Sequence, residues 1–291
     1  MKKFNTLLIA LLSPLFFWAQ QGVKIDQYED LIHCYSPNTG TWSSQSYECS
    51  DSYVKVISFE SGYYFIDTYD DFVYAFSIKT GTWSGAHYEC SDSYVTVSNT
   101  KDLLYFTDTY EDQVFAFSSK NGNWASMGYE CSDSYVEIIA SDKYIYFIDT
   151  YEDKVNAYSQ RKGSWSSANY ECSDSYVEVK QAKGTLYFID TYEDKVFAFT
   201  HKKGTWAAAH YECSDSYISI INSNGCLAFV DTYEDKVWAF SKNKGLWTSQ
   251  HYDCSDSTIE IKLLDGNFSF TDSYNSKCYT FSYKVGNWSG V

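Results

Sequence analysis

Arginine is all but missing from this chain. Arg161 is the only one among 22 basic residues, which face 38 acidic ones for a formal net charge of −16. A guanidinium fork is the usual device for gripping sialate or phosphate, so a single arginine argues against sites for those groups. The acidic balance repels phosphate backbones and excludes nucleic acid as an expected partner. Cations, neutral sugars and basic proteins remain. Helical periodicity is missing too, and proline is confined to Pro14 and Pro37. Beyond residue 18 no second long apolar run occurs, so no membrane span is expected.

The one apolar run lies at the start. Lys2 and Lys3 precede Leu7–Trp18, and Ala19 offers a small residue for cleavage. Residues 1–19 therefore read as a secretory signal peptide, which makes the protein secreted or periplasmic. No Cys follows the run, against a lipoprotein anchor. Residues 20–291 are expected to form a single, monomeric domain large enough to bury a substantial core.

What the chain does have is a repeat that never slips. Gly-x-Trp recurs seven times, ending at Trp42, Trp83, Trp124, Trp165, Trp206, Trp247 and Trp288, always 41 residues apart. Asp-Thr-Tyr-Glu-Asp or a variant starts at Asp26, Asp67, Asp108, Asp149, Asp190, Asp231 and Asp272. Tyr-Glu/Asp-Cys-Ser-Asp appears six times around Cys49, Cys90, Cys131, Cys172, Cys213 and Cys254. A fixed period near 40 residues marks a repeat architecture. Within residues 132–172, four β-rich runs are separated by turn formers: strand a at 135–140, strand b at 144–149, strand c at 154–159 and strand d from about Ser164. Four antiparallel strands per repeat describe a propeller blade. The expected fold is an all-β propeller of seven four-stranded blades, the first incomplete because residues 23–49 begin at strand b.

The pattern Val-x-Ala-Phe/Tyr-Ser-x-x-x-Gly-x-Trp across strands c and d resembles the kelch repeat, over residues 23–291. It departs where kelch blades carry Gly-Gly after strand b; here Asp149-Thr150 and its equivalents stand. The resemblance implies inter-blade packing for the Trp and strand-c aromatics. Kelch-like secreted proteins include copper oxidases and sugar epimerases, so an enzyme acting on sugars is a third reading. No nucleophile motif or metal-spaced histidines support it: His87, His210 and His251 share a strand-d position filled elsewhere by Ser46, Gly128 or Asn169.

Blade topology puts the b–c and d–a connections on one rim, which becomes acidic and rich in tyrosine, and Lys-rich c–d turns on the other. The candidate binding residues on the acidic rim are Asp67, Tyr69, Asp71, Asp108, Tyr110, Asp112, Asp149, Tyr151, Asp153, Asp190, Tyr192, Asp194, Asp231, Tyr233 and Asp235. Asp92, Asp133, Asp174 and Asp215, from the Ser-Asp-Ser segments, join them. The Tyr residues bracketing each Cys are placed there too. Carboxylates and hydroxyls hydrogen-bond sugar hydroxyls, and tyrosine faces the apolar side of a pyranose. The leading expectation is multivalent recognition of a neutral glycan without catalysis, the alternative a scaffold docking a basic protein. No cofactor is expected, although the same carboxylates could hold Ca²⁺. Finally, Cys34 replaces the strand-c alanine (Ala75, Ala116, Ala157) and Cys278 the strand-c valine (Val73, Val114, Val155). Taken as neighbouring positions on opposite faces, they are expected to form a disulfide closing the ring.

Overall fold

The computed structural model describes residues 22–48, 54–89, 95–130, 136–171, 177–212, 218–253 and 259–291. The signal segment, the six repeated cysteines and Asp92, Asp133, Asp174 and Asp215 lie outside the described residues.

Seven antiparallel sheets follow one another along the chain, the first of three strands and the other six of four. They are the blades of a seven-bladed β-propeller with an incomplete first blade. Blade 5 shows the plan. Strand a is Lys180–Ala182, b Thr185–Asp190, c Lys195–Thr200 and d Thr205–His210. Strand c pairs with b from Asp190↔Lys195 to Thr185↔Thr200, and with d from Lys195↔His210 to Thr200↔Thr205. Strands b, c and d match the expected positions, but a is short. In blade 4 only Ile139–Ala140 pair, while Val136 is buried and Glu137 exposed in irregular backbone.

Contacts group the chain into two compact units, Met1–Gly128 and Tyr129–Val291. The described part of the first holds blades 1 to 3, the second blades 4 to 7.

Turn chemistry explains the even strand lengths. The b–c turn of blade 5 closes with Asp194 in the left-handed region (φ 51°), a conformation Asp tolerates better than most residues. Its carbonyl accepts the Tyr211 N–H at 2.9 Å. The c–d turn closes on Gly204 (φ 73°), whose N–H bonds Thr200 O at 2.8 Å. A Cβ on Gly204 would stand 2.7 Å from Lys162 Cγ of the preceding blade, so glycine is needed there twice over.

Within each unit, three devices join each blade to the next. Strand c alternates: Val196 and Ala198 pack toward blade 6 with Leu227 and Phe229, while Phe197 and Phe199 pack toward blade 4. Each fully buried aromatic here contributes roughly 2–3 kcal/mol of apolar burial. The strand-d Trp donates its indole N–H to the preceding blade's strand d, as Trp206 Nε1 does to Ser166 O (3.1 Å) and Trp124 Nε1 to Ser84 O (3.1 Å). Inter-blade packing of these Trp residues is therefore as expected. The hydroxyl ending strand c reaches forward 42 residues, as in Ser36 Oγ to Ile78 O (2.5 Å) and Ser159 Oγ to His201 O (2.5 Å).

The expected Cys34–Cys278 disulfide is not made: both are free thiols, Cys34 buried and Cys278 exposed. The Val and Ala positions of strand c are two residues apart and so share one face. Val73 and Ala75 accordingly both pack toward blade 3, against Phe106 and Leu104 respectively. Cys34, at the Ala position, is enclosed between blades 1 and 2 with Val54, Phe65 and Phe76, and this burial pushes its thiol pKa up to about 12.

Candidate functional site

The Asp-Thr-Tyr-Glu-Asp motif spans the end of strand b and the b–c turn, and its five positions have different fates. The first aspartate is wholly buried. In blade 5, Asp190 Oδ1 accepts the N–H groups of Tyr192 (3.0 Å) and Glu193 (3.2 Å), and Oδ2 accepts the Glu171 N–H (3.0 Å) of the preceding blade. The bond from the residue 19 places earlier recurs at Asp67, Asp108, Asp149, Asp231 and Asp272. Asp67, Asp108, Asp149, Asp190 and Asp231 are therefore not rim ligands. Short polar side chains stabilise turns by bonding backbone amides, and here the same group also ties two blades. Buried and committed to backbone N–H donors, these carboxylates are not open to solvent at the rim. Among the described residues, no group of three or more His, Cys, Asp or Glu is placed to hold a metal ion.

Asp26, in the first blade, is only half-buried. Its carboxyl accepts the Tyr28 and Glu29 N–H groups and the Lys24 ammonium, which hold it below the ordinary carboxylate range. The last aspartate of the motif is partly exposed but serves the turn: Asp71, Asp112, Asp153, Asp194 and Asp235 all have φ between 49° and 55°.

The tyrosine of the motif faces solvent. Tyr69, Tyr110, Tyr151, Tyr192 and Tyr233 are 64–67 % exposed, one ring per blade. The Tyr preceding each Cys is instead buried. Tyr170 meets Phe188 of the next blade edge to face at 6.3 Å, and Tyr88 meets Phe106 likewise at 6.3 Å. In each unit the b–c turns lie at the end of the strands where strand d finishes, and the Lys-rich c–d turns lie at the opposite end.

A concavity that sequence reasoning missed lies beside this tyrosine end in the second unit. Between strand d of blade 4 (Ser164–Asn169) and strands c and d of blade 5 runs a groove of about 540 Å³. Its floor is aromatic: Phe197 stacks on Phe188 at 4.7 Å, and Trp206 stands edge-on to Phe188 at 5.4 Å, locked by its bond to Ser166 O. Its polar groups are Asn169 and Glu171 on one wall and the Glu193–Lys195 ion pair on the other. Ala208 and Ser167 are small and keep it open. The Glu–Lys pair recurs as Glu152–Lys154 and Glu234–Lys236, where the first of these raises the Lys154 pKa. The signal for the groove was legible as alternation: Lys195 and Phe197 occupy the strand-c face opposite Val196 and Ala198. No helix among the described residues is long and apolar enough to cross a membrane.

Seven tandem antiparallel meanders define the class of this protein, a β-propeller built from repeats. No protein-family model matches the chain, and no curated protein does. Among solved structures it is similar to streptogramin B lyase, at 14 % identity over 86 % of this chain and 89 % of that one, with a TM-score of 0.27. It is also similar to Hsv2 of Kluyveromyces lactis, at 10 % identity over 93 % and 94 % with a TM-score of 0.27. Human WBSCR16 aligns at 9 % identity over 82 % and 78 % with a TM-score of 0.28. Similarity at this level transfers no ligand and no activity.

Proposed function

We propose that this protein is an exported, kelch-type propeller that binds neutral glycans multivalently and performs no catalysis. The observation that carries this reading is the groove between blades 4 and 5. A fixed aromatic floor under Asn169, Glu171, Glu193 and Lys195 offers a hydrophobic platform for one face of a pyranose and hydrogen-bonding groups for its edge. The exposed tyrosines beside it supply further stacking surfaces. Equivalent weak contacts in several blades would combine as avidity.

A glycan array probed with the purified full chain, with Ca²⁺ and with EDTA, tests this. The expected result is binding in both conditions, lost in Asn169→Ala and Glu193→Gln variants that melt like wild type. Absence of binding to any glycan would overturn the reading. The second reading, a scaffold for a basic protein, rests on the net charge of −16 and the exposed tyrosines with their flanking carboxylates. It predicts capture of a lysine-rich protein that weakens steeply with salt, which sugar binding does not.

A further inference from the structure

At the opposite end of the strands in the second unit, four successive turns carry no carboxylate, and three of them carry cations. They are the a–b turns at Lys183-Gly184 and Asn224-Gly225 and the c–d turns at His201-Lys202-Lys203 and Lys242-Asn243-Lys244. The lysines are held in place by neutral acceptors. Lys242 Nζ donates to Asn224 O (2.6 Å) and Lys183 O (3.1 Å), Lys183 Nζ to Asn224 Oδ1 (3.0 Å), and Lys202 Nζ to Asn243 Oδ1 (2.7 Å). His201 sits among them with Nδ1 3.2 Å from Gly184 O. None of these lysines forms an ion pair among the described residues, and Lys143 of blade 4 adds its charge to those acting on Lys242.

Packed like charges without counter-charges cost stability, and the fold does not require them. The position of Lys183 in blade 5 is that of Lys101 in blade 3. There Glu60 of blade 2 neutralises the lysine at 2.9 Å, and the adjoining Asp102 accepts the Ser61 hydroxyl. Blades 5 and 6 thus concentrate positive charge where blade 3 balances it. An ammonium has three donors, so Lys183 and Lys202 each keep two for a ligand and Lys242 keeps one. The ammonium groups are close enough for Lys183 and Lys202 to act on Lys242, form no ion pair among the described residues, and are held by the Asn224 and Asn243 side chains and the turn carbonyls.

We propose that Lys183, Lys202 and Lys242 form a second binding site, independent of the groove, for a multiply charged oxyanion of the sulfate or phosphate type. Lysine serves such a group as a point charge without needing an arginine fork. The group could reach the site as a free ion or as an ester on a saccharide chain.

Isothermal titration of the full chain with inorganic sulfate, inorganic phosphate and a sulfated tetrasaccharide tests the proposal. One equivalent of at least one probe should bind. Lys183→Gln/Lys242→Gln should weaken it by roughly tenfold or more, as expected for losing charge-assisted contacts. Lys101→Gln, which alters a lysine already met by Glu60, should change affinity by less than about twofold on the same scale. Binding of the inorganic ions assigns the site to a free oxyanion, and binding of the tetrasaccharide alone assigns it to an ester. Failure of every probe, or equal weakening by Lys101→Gln, would overturn the proposal. If the double variant does not fold, Lys202→Gln, which gives up a single side-chain bond to Asn243, is judged by the same criterion. Neutral-glycan binding in the groove is unaffected by either result.

Discussion

Replacing Asp190 separates an architectural carboxylate from a ligand. Its two oxygens take three backbone N–H groups, two from its own turn and one from Glu171 of the preceding blade, and no part of it reaches solvent. Asp190→Asn preserves one oxygen, which can still serve Tyr192 and Glu193, but turns an amide N–H₂ toward the Glu171 N–H. One charge-assisted bond is lost and donor faces donor, a cost of about 2–3 kcal/mol when such bonds contribute roughly 1.5–3 kcal/mol each. Asp190→Ala abandons all three N–H groups and should cost about 5–9 kcal/mol on the same scale. For a chain of this size each kcal/mol lowers the melting temperature by roughly 2–4 °C, so the Asn variant should melt roughly 4–12 °C below wild type. Thermal unfolding by circular dichroism, paired with glycan titration of the folded variant at low temperature, is the assay. The reasoning requires lowered melting temperature with undiminished affinity per folded molecule. An Asp190→Asn protein that melts like wild type yet no longer binds would refute it and restore Asp190 to the ligand set.

Two further outcomes are expected. Peptide-resolved alkylation of the native protein should label Cys278 and spare Cys34 and Cys226 until denaturant is added, since those two are enclosed and their thiols are raised by burial. Rapid native labelling of Cys34 would contradict its placement between blades 1 and 2. His201 has its pKa lowered from 6.5, first by burial and then by Lys143, Lys202 and Lys242, against the opposing bond to Gly184. A folded pKa below the unfolded one means that the unfolded chain takes up the proton first as pH falls through the range near 6.5. Stability should therefore decline between about pH 7 and 5, and His201→Gln should flatten that slope in pH-dependent melting curves. An unchanged slope would show that His201 protonates as freely in the folded protein.

The repeat and its strands were legible because period-two alternation and Gly-x-Trp punctuation are local properties, visible at Lys195–Thr200 without knowledge of any partner. What escaped depends on the neighbouring blade. Nothing in Asp-Thr-Tyr-Glu-Asp says that a backbone N–H from 19 residues earlier will meet the first carboxylate, so five buried aspartates read as surface ligands. The groove at Phe197 and Trp206 likewise exists only once strand d of one blade stands beside strand c of the next. The disulfide expectation failed on a count that was available, since Val73 and Ala75 lie two positions apart. Strand a was overextended because alternation at Val136–Ile138 persists in burial without ladder bonding.

The reach of the inter-blade bonds has an evolutionary consequence. Indole donors find their carbonyls 40 residues back, strand-c hydroxyls find theirs 42 residues forward, and from Asp67 onward the first aspartate of each motif meets an amide 19 residues earlier. Every module thus carries both halves of its own interface. A duplicated 41-residue segment is self-complementary at birth and needs no compensating substitution to dock on its parent. Such a chain can lengthen or shorten by whole modules, and each blade can settle as it emerges, since its docking partner was synthesised just before it. Diversity can then accumulate in positions that the couplings leave alone, such as the strand-c site filled by Tyr74, Phe115, Asn156, Phe197, Trp238 and Tyr279 in successive blades, buried at Asn156 and half-buried in the others.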